Sequence, residues 1–246
     1  MIPKTIHYCW FGGKPKPKSV RCCIASWRKY CPDYEIKEWN EGNFDVNMIP
    51  YTHDAYQAGK YAFVSDVARF WVLYQEGGVY FDTDVEVIRP IDDLVERCAF
   101  MGWEKPDALG NMNVAPGLGL AAPKGFPLYK EVLDGFSTLG YYLEDGQWNP
   151  YTMIPLVTDL LMQKGLQIDG TLQVISLNPQ LSTLNSQLTI YPAEYLCPMH
   201  SLTGIVTLTE NTYTIHHYSM SWLPKSSQWW VRVMRMVRAL LKHERQ

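Results

Sequence analysis

Within the first 90 residues, five stretches alternate between strand period and helix period. Thr5–Gly13 (TIHYCWFGG) reads as a buried strand closed by a glycine turn, followed by a stiff, solvated loop at Lys14–Lys18 (KPKPK). SVRCCIASWRKYC reads as a helix with Ser19 at its N-cap. Tyr34–Asn40 alternates apolar and polar residues and reads as a second strand. In AFVSDVARFWVLYQEGG, Val64, Val67, Ala68, Trp71 and Tyr74 recur at helical spacing, and Gly77-Gly78 ends the helix. GGVYFDTDVEV then reads as a third strand. Alternation of this kind folds as an α/β domain in which helices cover a largely parallel sheet. A hydrophobic content of 47% is enough to build its core.

Farther along, Asn111–Ala122 is small and glycine-bearing, a strand with loops. PLYKEVLDGFSTL and YTMIPLVTDLLMQKG read as helices; QVISLN, LTIYPAEYLCP and TYTIHHYSMSW read as short strands or loops. No internal repeat or linker divides the chain, so residues 1–225 are expected to form one domain, and 226–246 change character. A net charge of −3 argues against a general nucleic-acid binder. The six cysteines form no CxxC pair, so neither a zinc site nor a disulfide framework is indicated. With no leader segment, the expectation is a reducing cytoplasm. No apolar run reaches the roughly 20 residues that span a bilayer.

The third strand carries two carboxylates, Asp82 and Asp84, inside an apolar run, where an unpaired charge is costly. Three readings compete. In one, the strand ends at Phe81 and Asp82-Thr83-Asp84 is a polar turn. The pair could serve as general acid and base across a sugar ring, since i and i+2 on a strand lie about 7 Å apart. Or it holds Mg²⁺ or Mn²⁺, which suit hard carboxylate oxygens and complete their shells with substrate phosphates. Upstream, Asp66 and Arg69 share a helix face as an i, i+3 pair, with Ser65 beside them. Downstream, His216-His217 offers an imidazole, with His217 the preferred candidate for the same metal.

Together, IPKTIHYCWFGG, SDVARFWVLYQEGGVYFDTDVEVIRPID, IYPAEYLCP and IHHYSMSW resemble glycosyltransferase family 32, the D-x-D sugar-binding region family. That family includes fungal initiating mannosyltransferases and bacterial capsule and polysaccharide enzymes. The resemblance implies a GT-A fold, a Rossmann-like α/β domain with a mostly parallel sheet. It implies transfer of a galactosyl, glucosyl or mannosyl group, with retention, from a UDP-sugar (favoured) or GDP-mannose to a saccharide or lipid-linked oligosaccharide. Mn²⁺, or Mg²⁺, is the implied cofactor, and capsular or other surface-polysaccharide synthesis the implied setting. By position, Trp10 matches an aromatic that stacks on the donor base, with Phe11 and Gly12 beside it. Asp66 and Arg69, with Ser65, match residues on the donor sugar's hydroxyls. Asp82 matches the carboxylate shared between the sugar nucleotide and the metal, Asp84 the direct metal ligand, and Tyr80 lines the donor site. His217, with Ser221 and Trp222, matches a segment that closes over the diphosphate; His216 is the alternative ligand. Asn113, or Asn111, is a weaker sugar contact. A metal-dependent nucleotide-sugar phosphohydrolase and a non-catalytic carbohydrate-binding protein are the alternatives.

The tail SSQWWVRVMRMVRALLKHERQ spaces Arg232, Arg235, Arg238, Lys242 and Arg245 along one helical face, beside Trp229, Trp230 and aliphatic residues. Such an amphipathic helix either packs on the domain or lies on the anionic cytoplasmic face of a membrane.

Overall fold

A computed structural model describes residues 1–107, 109–177, 186–219 and 233. Its main sheet has seven strands in the order β2-β1-β3-β6-β5-β8-β7. These are β1 (Thr5–Cys9), β2 (Glu35–Trp39), β3 (Gly78–Tyr80), β5 (Ala99–Gly102), β6 (Leu120–Ala122), β7 (Gln173–Ser176) and β8 (Gln187–Tyr191). Strands β2, β1, β3, β5 and β8 run one way, and β6 and β7 run against them. A second sheet pairs β4 (Val85–Val87) with β9 (Thr214–His216), antiparallel. The helices are α1 (Lys18–Tyr30), α2 (Pro50–Gln57), α3 (Tyr61–Glu76), α4 (Asp92–Val95), α5 (Pro127–Thr138), α6 (Met153–Gln163) and α7 (Ala193–Leu196).

Both faces of the inner strands β1, β3, β6, β5 and β8 are buried, whereas the edge strands β2 and β7 are partly exposed, which is why β2 reads as alternating. Cys9, Tyr80, Met101 and Ile190 face one core, with Val64, Val67 and Leu73 of α3 and Phe136 of α5. Ile6, Tyr8, Val79, Phe81 and Phe100 face the other, with Ile24 and Trp27 of α1. His7 is fully buried yet satisfied: Trp39 Nε1 donates to its Nδ1 at 3.0 Å, and its Nε2 lies 2.9 Å from Gly77 O. Burial pushes its pKa down to about 4, so it stays neutral.

Three details depart from the sequence reading. Ser19 lies inside α1, whose N-cap is Pro17 without a side-chain cap bond. The third strand is two strands: β3 leaves the main sheet at Tyr80, Phe81–Asp84 turn the chain, and β4 starts a new sheet. The D-x-D carboxylates therefore stand in the turn between sheets, not on a strand. Strand β5 was not read from the sequence, because four residues (AFMG) are too few to display a period. The small sheet is pinned to α1 by Trp27, whose Nε1 donates to Val85 O at 2.8 Å, and by Ser26, whose Oγ accepts from Val87 N at 3.0 Å.

Gly78 sits at the β1–β3 seam with φ +108°, where an added Cβ would lie 2.7 Å from Thr5 O and 2.9 Å from His7 Nε2. Gly78→Ala is expected to cost about 2 kcal/mol or more of stability, read by urea denaturation. Unchanged stability would show that the seam relaxes freely.

Candidate active site

Strands β1 and β3 are adjacent and parallel, and the segments at their carboxyl ends, where open α/β sheets bind ligands, build the site. Arg69 projects from α3 into this region with its side chain only 3% exposed, which a permanent charge tolerates only with partners. Its Nη2 lies 3.0 Å from Asp66 Oδ1 and 3.0 Å from Asp82 Oδ1. Its Nε donates to Ser65 O at 3.1 Å, and the guanidinium lies 5.0 Å from the centre of the Tyr80 ring. Tyr80 Oη donates to Asp82 Oδ1 at 3.1 Å. Arg69 Nη1 is buried and has no hydrogen-bond partner among the described residues.

The second carboxylate of the turn has its own partners. Asp84 Oδ2 accepts from Ser219 N at 2.7 Å, and Asp84 Oδ1 lies 3.2 Å from His216 Nε2. Val85 pairs across the small sheet with His216, so the strand register itself sets that imidazole beside Asp84. The ligand atoms of Asp82, Asp84 and His216 all lie within 4.8 Å of one another. His216 Nδ1 is buried and without a hydrogen-bond partner among the described residues.

The imidazole brought to the carboxylates is thus that of His216, and the assignment to His217 is corrected. Neighbouring residues at the end of a strand face opposite sides. His217 turns outward, its Nε2 2.8 Å from Glu86 Oε2. Phe11 is also corrected: its ring is buried against Phe44 at 5.8 Å, so it belongs to the core rather than to a cleft. Trp10 is half-buried at the end of β1, and its Nε1 donates to Lys14 O at 2.6 Å. Gly12 N donates to Glu41 Oε1 at 2.6 Å, and Gly12 lies against the Tyr61 ring, where a Cβ would come within 2.3 Å. Asn113 Nδ2 donates to Glu104 Oε1 at 3.3 Å, while Asn111 turns to Asp107 at 2.9 Å. Ser221, Trp222 and the basic tail lie outside the described residues.

Two further residues belong to the site. Gly117 lies over the D-x-D turn: an added Cβ would fall 2.2 Å from Asp82 Oδ2 and 3.2 Å from Arg69 Nη1. Glu104, beyond the end of β5, accepts from Asn113 Nδ2, and its charge helps to raise His216. In the sequence only the glycine-rich character of Asn111–Ala122 hinted at the first, and nothing marked the second.

The electrostatics divide the carboxyls. Burial pushes Asp66 up to about 7, outweighing the pull of Arg69, and Asp82 adds to the rise. Burial also raises Asp82, against the pull of Arg69. For Asp84, burial is outweighed by His216 and the Ser219 N–H, which hold it far below the usual carboxylate range. His216 goes the other way: burial would lower it, but Asp84 raises it. Burial raises Glu104 despite its bond from Asn113. Formally, four carboxyl groups (Asp66, Asp82, Asp84 and Glu104) face one guanidinium and one imidazole. A divalent cation at Asp82, Asp84 and His216 would balance that excess, and two hard carboxylates with an imidazole are the donor set Mn²⁺ takes. The residues fit the ion.

The chain is similar to known proteins in sequence and in fold. Residues 17–101 match the family model "Glycosyltransferase sugar-binding region containing DXD motif". Inositol phosphoceramide mannosyltransferase 3 of Schizosaccharomyces pombe is 32% identical over 139 residues, covering 54% of this chain and 36% of that protein. Inositol phosphoceramide mannosyltransferase 1 of the same yeast is 27% identical over 111 residues, covering 41% of this chain and 33% of that protein. The chain therefore spans about a third of the length of these relatives. Among solved structures, a glycosyltransferase involved in the glycosylation of the major capsid of PBCV-1 superposes with a TM-score of 0.50 at 11% identity. That match covers 93% of this chain and 98% of the other, and it shows the fold. The chain thus has a GT-A-type α/β fold and carries the sugar-binding region with its D-x-D motif, as its motifs implied.

Gly117→Ala is expected to displace the Asp82 carboxylate and weaken Mn²⁺ binding about tenfold or more in calorimetric titration, with the circular dichroism spectrum retained. Unchanged affinity would separate Gly117 from the site. A folded-state pKa raised above the unfolded value means that ionising Asp66 opposes folding as pH climbs from about 4 through about 7. Asp66→Asn, which cannot ionise, should therefore gain stability relative to the wild type between pH 5 and pH 8 in urea melts. An equal difference at both pH values would contradict the shift.

Proposed function

We propose that the protein is a retaining hexosyltransferase that takes its sugar from a nucleotide-sugar donor, with UDP-hexoses favoured and GDP-mannose the other candidate. The observation that carries this reading is the shared carboxylate: Asp82 joins the Asp66–Arg69 pair to the Asp84–His216 pair in one site. The names of the curated relatives, both mannosyltransferases, support a hexosyl group.

In this reading each residue has a defined task. Arg69 and Asp66 hold hydroxyls of the donor sugar; the unpartnered Arg69 Nη1 is a donor that a hydroxyl oxygen would satisfy. Tyr80 and Gly117 fix the direction of Asp82. Trp10 offers its ring to the base, a contact worth roughly 1–3 kcal/mol for bases on aromatic side chains. Asp82, Asp84 and His216 would hold Mn²⁺ or Mg²⁺. A cation bound there supplies positive charge against the diphosphate leaving group. Asp66 and Asp82 are both tied to Arg69, so neither is a free nucleophile. With no covalent intermediate on these carboxylates, retention in this reading requires attack on the same face from which the leaving group departs. The bond from the anomeric carbon to the phosphate oxygen breaks, the bond to the acceptor oxygen forms, and the acceptor's hydroxyl proton passes to the departing phosphate.

Turnover of UDP-glucose, UDP-galactose and GDP-mannose with Mn²⁺ and with EDTA tests the reading. One donor should be consumed only with the cation, with the product of the same anomeric configuration. Asp84→Ala should lower kcat/KM about a thousandfold. Turnover that survives EDTA, or inverted product, would end it. The basic tail is proposed to hold the enzyme at a cytoplasmic membrane surface, near a lipid-linked acceptor. The lipid substrates in the names of the relatives support this. Cosedimentation with anionic liposomes, lost on removal of residues 226–246, is the expected result; no sedimentation of the full chain would exclude it.

A further inference from the structure

One group of residues stands beside the site without a task in the chemistry above. Between α5 and α6 the chain forms a tight hairpin in which Tyr142 bridges Trp148. Tyr142, Trp148 and Tyr151 are exposed at 45%, 43% and 38%, an unusual concentration of aromatic surface within ten residues (142–151).

These rings are fixed rather than loose. Trp148 packs edge-on against Phe63 at 5.7 Å, and Tyr142 packs against Tyr141 at 4.7 Å. Tyr151 Oη donates to Asp159 Oδ2 at 2.7 Å. The hairpin is also continuous with the site. Phe63 lies one helical turn before Asp66 on α3. Tyr141 contacts both Phe63 at 5.6 Å and Tyr51 at 5.8 Å, and the charge of Asp66 acts on the Tyr51 phenol. The buried Tyr51 Oη has no hydrogen-bond partner among the described residues.

We propose that Tyr142, Trp148 and Tyr151 form an acceptor platform on which a neutral pyranose stacks beside the donor site. This rests on the transferase reading above. Rigid amphipathic rings offer apolar faces to the C–H surface of a sugar at little cost in conformational entropy. The polar neighbours suit hydroxyls: Glu144, Asp145, Gln147 and Asn149 lie in the same loop, and the segment 139–152 contains no lysine, arginine or histidine. That charge selects a neutral sugar over a uronic acid or a phosphorylated sugar as the ring that stacks on the platform.

Saturation-transfer NMR on the full chain with the diamagnetic ion Mg²⁺ tests the platform. The probes are the methyl pyranosides of mannose, glucose and galactose, with UDP and GDP present as internal reference ligands. At least one methyl glycoside should receive saturation from the wild type. The signal should fall at least fivefold in Trp148→Ala and in Tyr142→Ala while the nucleotide signal persists. Loss of both signals in one variant points to misfolding, and the other variant then decides. Sugar signals that persist in both variants, or no sugar signal from a wild type that binds nucleotide, would overturn the platform and leave the donor site standing. A wild type that binds no nucleotide and consumes no donor would instead overturn the transferase reading. A dimer in sedimentation that Trp148→Ala converts to monomer would assign the patch to a second copy of the chain and overturn the proposal.

Discussion

The site is organised around a guanidinium that is almost wholly buried. Arg69 is held between Asp66 and Asp82 at 3.0 Å each, on a helix whose neighbouring positions are core. Removing one partner from such a cluster typically costs about 3–5 kcal/mol, because a buried charge is left uncompensated. That penalty ties α3 to the turn after β3. It also fixes one oxygen of Asp82, so the other is set by Gly117 rather than by solvent. Asp84 is then directed by the small sheet, through His216 and the Ser219 amide. Two separate frameworks meet at Asp82 and Asp84, one built on the parallel sheet and one on β4 and β9.

The helix α3 was readable because its apolar residues recur over four turns and two glycines stop it. The alternation of elements gave the α/β class for the same reason. What could not be read depends on pairing. GGVYFDTDVEV is a continuous apolar run in one dimension. Only the choice of partners, β6 for Gly78–Tyr80 and β9 for Val85–Val87, breaks it into two strands. The short strand β5 was hidden by its length.

The site shows the same division. Asp66, Arg69, Asp82 and Asp84 are legible because carboxylates and arginine are anomalous where the pattern demands apolar residues. The histidine pair was legible as a pair, with one member on each face, but the choice between them is a matter of strand register. Val85 opposite His216 decides it. Gly117 acts by the absence of a side chain, across a separation of 35 residues from Asp82, so no local pattern marks it. Glu104 carries an ordinary residue type after an unremarkable segment. Phe11 follows Trp10 in the motif but not in space, because successive side chains in extended chain point apart.

The central claim is that Asp82, Asp84 and His216 are ligands of one divalent cation. Electron spin echo envelope modulation of Mn²⁺ bound to the protein with UDP or GDP tests this directly. Modulation from one directly coordinated imidazole nitrogen is expected, lost in His216→Gln and kept in His217→Gln. A spectrum without that nitrogen, or one whose nitrogen signal survives in His216→Gln, would contradict it.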